Sequence, residues 1–189
     1  MKRFLSSAAL CLVAAPVFAV DVPAAMTGFA QDQMRNVARN AAIIDAIIRQ
    51  NAQTAALSEA EIIELDNTWR SEVDSGERTM INSKLNNPVS VFLSALVDRS
   101  DGVITEVFVM DARGLNVGQS SVTSDFWQGD EAKFTETYLK GPDAMHISEV
   151  ELDESTNAYQ GQVSITITAP GSSEPIGAVT FGIDATSFF

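Results

Sequence analysis

The chain has 189 residues, with 12 lysines and arginines against 25 aspartates and glutamates and a formal net charge of -13. So acidic a surface repels phosphate backbones and anionic lipid headgroups, which excludes nucleic acid and polybasic membrane attachment. A single cysteine excludes disulfides, and an apolar fraction of 46% is that of a globular domain held together by its core.

Residues 1–19 have the order of an export signal: Lys2 and Arg3, the apolar run from Leu5 to Ala15, then Val17-Phe18-Ala19 as a small-x-small cleavage site. Ser6, Ser7 and Pro16 keep the run short of the roughly 20 apolar residues that a spanning helix needs. Cleavage after Ala19 removes Cys11 and leaves a periplasmic or secreted domain of about 170 residues, without stable membrane insertion. From Met26 to about Ala56 the residues Ala30, Met34, Val37, Ala41, Ile44 and Ile48 recur at steps of four and three, the stripe of one long helix. Such a stripe needs a partner, either the rest of the domain or a second copy in a homodimer.

Ser58 with Glu61 forms a capping box ahead of a helix carrying Ile62, Leu65, Trp69 and Val73, which Asp74-Ser75-Gly76 ends. Asn87-Pro88 opens a short helix expected to bury Val91, Leu93, Leu96 and Val97. After Asp101-Gly102 the period shortens. Val103–Met110 reads as a strand, residues 111–114 as a turn, and Leu115–Gln119 as the second arm of a hairpin. A polar and aromatic segment leads to a short helix through Phe134 and Leu139. Strands follow near residues 145–152, 158–168 and 176–183. Residues 20–100 thus read as a helical region and 101–189 as a five-stranded antiparallel sheet.

A binding site needs an apolar cradle and a few orienting polar groups. Between Ser121 and Glu131 the chain supplies both: Phe126 and Trp127 as wall or lid, Ser121, Thr123 and Asp125 as donors and acceptors. The competing reading makes Thr123 or Ser124 a helix cap and Trp127 plain core. His146 is the only histidine, it follows no nucleophile-elbow motif, and neither a histidine metal triad nor a Cys/His pair can form, so no enzyme, metal or cofactor is expected. Residues 153–157 hold oxygen ligands without EF-hand spacing and read as a solvated turn.

The run Val107-Phe108-Val109-Met110-Asp111-Ala112-Arg113-Gly114, the segment 123–131 and the closing run 176–184 together resemble the single-Cache family of extracytoplasmic sensors. The resemblance implies an α/β (α+β), PAS-like fold: a five-stranded antiparallel sheet, a long N-terminal helix and a helical cap. It also implies a ligand pocket between the sheet and the 121–131 segment, with Met110, Tyr159 and Asp184 on the opposite wall. An inward aspartate such as Asp184 would suit an amine, whereas Arg113 or Lys133 would suit a carboxylate. The implied function is reversible binding of a small polar metabolite, an organic acid, amino acid or amine, with output through a separate membrane receptor or kinase. The alternative is a non-catalytic scaffold that dimerises through the long helix.

Overall fold

The computed structural model describes residues 22–153 and 158–188. The expected export signal and most of the acidic 153–157 turn lie outside the described residues. Five helices come first: α1 (Val22–Ala38), α2 (Ala41–Thr54), α3 (Glu59–Ser75), α4 (Thr79–Leu85) and α5 (Pro88–Asp98). Then follow β1 (Ile104–Asp111), β2 (Asn116–Gln119), α6 (Ala132–Thr135), β3 (Met145–Ile147), β4 (Glu151–Asp153), β5 (Ala158–Thr168), β6 (Pro175–Asp184) and a 3-10 turn, Ala185–Phe188.

The expected single long helix is two. Asn40 leaves the helical conformation and its side chain accepts from the amides of Ala42 and Ile43, capping α2. The break shifts the apolar phase. Met26, Ala30, Met34 and Val37 are buried along α1, but Ile43, Ile44 and Ile47 take over on α2, leaving Ala41 and Ile48 exposed. These buried positions pack with Val107, Val163, Val179 and Phe181 of the strands, so the stripe is satisfied within the chain.

The capping box at Ser58 is present, with the Glu61 carboxylate accepting from the Ser58 amide at 2.8 Å, and Gly76 ends α3 in the left-handed conformation. Asn87 caps α5 with Pro88 in its first turn. Val89 and Leu93, four apart, face the core while Val91 on the opposite side is 59% exposed, correcting its expected burial. The expected helix through Phe134 and Leu139 is a single turn, and Leu139 is exposed.

The sheet is antiparallel in the order β2-β1-β6-β5-β3, with β4 also pairing β5, which gives six strands where five were expected. The extra strand arises because the 145–152 segment splits around residues 148–150, each half pairing a different stretch of β5. Helices α1, α2 and α5 cover one face. A second cluster, Ile62, Trp69, Ile81, Leu115 and Phe126, ties α3 and α4 to the hairpin.

Candidate functional site

Alternation along the strands decides what each sheet face carries. Val107 and Val109 of β1, Val163 and Ile167 of β5, and Val179, Phe181 and Ile183 of β6 lie in the cluster shared with the helices. Phe108, Met110 and Ala178 lie on the other face with Phe134. At Gly118 an added Cβ would meet Val89 Cγ1 of α5 at 2.6 Å, so position 118 faces the helices and Gln119 faces away from them. Strand register then places His146, Ser164, Thr180, Phe108 and Gln119 in one row across five strands. The adjacent row holds Thr166, Ala178 and Met110.

Apart from Phe108 the row is polar, and apart from the half-buried His146 it is buried. Ser164 and Thr180 are fully buried and share a hydroxyl hydrogen bond of 2.9 Å. Gln119 is 1% exposed, yet neither its amide oxygen nor its amide nitrogen has a partner among the described residues, and the Thr166 hydroxyl is likewise unpartnered. Burying such groups unpaired costs about 1–3 kcal/mol each, a cost that a polar partner would offset. Phe134 and Tyr138 stack at 5.0 Å as part of the cover, and burial raises the Tyr138 phenol above its ordinary pKa, with the negative charges of Asp111 and Glu174 adding to it.

Lys133 ties this cover to the sheet. Its ammonium stands 5.4 Å from the centre of the Phe108 ring, pairs with Glu131 at 2.8 Å and donates to Gln128 Oε1 at 3.1 Å. From Lys133 outward a cavity of about 610 Å³ opens over the same sheet face, lined also by Glu106, His146, Gln160 and Gln162. His146 belongs to both the row and the cavity. The carboxylates, lysine, histidine and amides that line this cavity can hold a small molecule bearing several hydrogen-bonding groups, and the row of Ser164, Thr180 and Gln119 continues from His146 along the same sheet face.

Of the residues expected at the site, the structure puts Met110 on this face, fully buried beside Phe108. The others are dispersed. Phe126 stacks on Trp69 at 5.7 Å inside the helical cluster. Trp127 packs on the edge of that cluster and donates its indole N–H to the carbonyl of Arg113 at 2.8 Å, so it ties the 120s loop to the hairpin turn. Thr123 donates to the Asp125 carbonyl and accepts from Asn116, while Asp125 pairs with Arg70. Ser121 and Tyr159 are exposed, and Asp184 accepts from the amide and hydroxyl of Thr186 at the final turn. Arg113 donates to the carbonyls of Thr54, the last residue of α2, and of Leu57 beyond it.

The residues that sequence reasoning passed over are Gln119, Ser164, Thr166 and Thr180. Their signal was visible only as polar positions alternating with apolar ones, which is equally the pattern of a solvent-facing strand side.

No known family model matches the sequence, and no curated protein matches it. Solved structures do. The sensor domain of E. coli DcuS aligns with a TM-score of 0.50 at 14% identity, over 88% of this chain and 94% of that one. The ligand-binding domain of the Pseudomonas aeruginosa PAO1 amino acid chemoreceptor PctC, in complex with GABA, aligns at 0.39 and 12% identity, over 86% and 56%. That of the Campylobacter jejuni chemoreceptor Tlp3 with L-valine aligns at 0.42 and 14%, over 88% and 65%. The chain thus spans less than two thirds of the two chemoreceptor domains and nearly all of the DcuS domain. Element order, an antiparallel sheet covered by N-terminal helices on one face, and the match to DcuS along its length agree: the chain has the fold of the single-Cache type of extracytoplasmic sensor domain.

Proposed function

We propose that this chain is an exported sensor domain that reversibly binds one small polar metabolite, an amino acid, organic acid or amine, against the sheet face bearing Gln119, Thr166, Ser164 and Thr180. The supporting observation is the buried Gln119 amide, neither of whose atoms has a partner among the described residues. A guest that accepts from its nitrogen and donates to its oxygen would recover a desolvation cost already incurred in folding. Lys133 and Glu131, which line the cavity, offer one charge of each sign, a complement to a zwitterion. Among the described residues no helix is long and apolar enough to cross a membrane. Within the same proposal, output is assigned to a separate membrane receptor or kinase, with ligand binding shifting the cover between open and closed populations.

Thermal denaturation in the presence of a panel of amino acids, organic acids and amines tests this reading. A true ligand at a hundredfold excess over its dissociation constant adds about 2.7 kcal/mol. The gain should shrink in Thr166→Val, which removes an unpartnered hydroxyl and leaves the unliganded fold nearly unchanged in stability. A panel without a stabilising member, or a gain that Thr166→Val and changes at Gln119 leave intact, defeats the assignment. Capture of a membrane receptor or kinase by the immobilised, ligand-loaded protein tests the output step.

A further inference from the structure

On the opposite side of the sheet lies a second cavity, of about 500 Å³, between α2 and the corner where α4 meets α5. Its walls are Ala42, Ala46, Pro88, Val89 and Val117, and its charged groups are Lys84, Arg49 and Asp45. Bases outnumber acids there, in a chain where acids outnumber bases twofold. Lys84 is half-buried. Its ammonium donates to Gln50 Oε1 at 3.0 Å and stands 4.8 Å over the Phe126 ring. Among the described residues no carboxylate comes within ion-pair distance of Lys84 or of Arg49, although Asp45 lies one helical turn before Arg49. An ammonium has three N–H donors, and among the described residues one hydrogen-bond acceptor, Gln50 Oε1, meets that of Lys84.

We propose that this groove is a second ligand site, which takes a small organic anion: a carboxylate on Lys84 and Arg49, with a short hydrocarbon tail against Val89 and Val117. Burial pushes the Lys84 ammonium below its ordinary pKa, with only the charge of Asp111 opposing, so a bound anion would relieve an existing penalty. The site is also wired to the hairpin. Gln50, which accepts from Lys84, donates its amide to Asp111 Oδ2 and to the carbonyls of Leu115 and Asn116, at the joint of β1 and β2. Met110 and Gln119 stand on those two strands, facing the other side.

Butyrate and sulfate, titrated at matched ionic strength and followed by amide NMR, provide the test. Saturable shifts at Ala46, Lys84 and Val117 with butyrate, weakened at least about tenfold in Lys84→Met and retained in Lys84→Arg, are expected. Butyrate should also raise the pKa of the Lys84 ammonium in the unmutated protein, a readout that needs no variant to fold. Thr166→Val should leave both effects unchanged, which separates this site from the one proposed on the opposite face. Shifts that never saturate, sulfate binding as tightly as butyrate, or a Lys84 pKa indifferent to butyrate would each overturn the proposal.

Discussion

Two equally buried glutamines give opposite forecasts on mutation to leucine. Gln119 is 1% exposed with both amide atoms unpartnered, whereas Gln128, at 2%, donates to the Asp125 carbonyl at 2.9 Å and accepts from Lys133 at 3.1 Å. Leucine is of similar volume. Gln119→Leu therefore removes an unpaid desolvation cost, worth about 1–2 kcal/mol, and should raise the melting temperature of the unliganded protein by about 2–8 °C for a chain of this size. Gln128→Leu breaks two made hydrogen bonds, one of them to a charge, and should lower stability by about 1–3 kcal/mol. Chemical denaturation with unchanged m-values, alongside calorimetric binding of whichever ligand the thermal panel yields, measures both arms. The stabilised Gln119→Leu variant should bind that ligand at least about tenfold more weakly. If Gln119→Leu loses stability as Gln128→Leu does, or binds undiminished, the amide is not held in reserve and the reasoning fails.

Asp66 accepts from the amides of Phe126 and Trp127 and from Arg70. Asp66→Ala strands both amides and should cost roughly 2–4 kcal/mol in urea unfolding. Gly114 combines φ of 79° with a site where a Cβ would fall 2.5 Å from Gly129 Cα, so Gly114→Ala should cost more than about 1 kcal/mol and loosen the 120s loop toward proteolysis. Lys84 binds its proton less tightly folded than unfolded, so its penalty is full below the folded pKa and is relieved as pH rises from there toward the unfolded value. The difference in stability between the unmutated protein and Lys84→Met should accordingly move in favour of the lysine form as pH climbs through that alkaline window. A difference flat with pH would contradict its desolvation.

What could be read in the sequence followed from how local its cause was. The Ser58 box, the Asn87-Pro88 start and the 111–114 turn are made by residues within a few positions of one another, and each formed where its residues stand. Helix α4 was not legible because its cap comes from elsewhere: the Glu72 carboxylate of α3 accepts from the amides of Met80 and Ile81 at 2.9 Å each. The Asn40 break hid behind an apolar stripe that continues through it. The surroundings of the 120s aromatics were not legible because an aromatic pair in a loop looks the same whether it faces a guest or, like Phe126 on Trp69, a neighbouring helix. Ser164, Thr166 and Thr180 betray their burial only once Phe134 and Tyr138 lie over the sheet.

Phe29 of α1 meets Phe188 of the final turn edge-on, ring centres 6.0 Å apart. The first helix and the final turn meet there, and a pull applied across that contact would peel α1 from β5 and β6 a few side chains at a time. Tension directed instead along the paired lengths of β1 and β6 must break many backbone bonds together. The molecule is thus mechanically soft in one direction and stiff in another, and single-molecule stretching through different attachment points would resolve the two as low and high rupture forces.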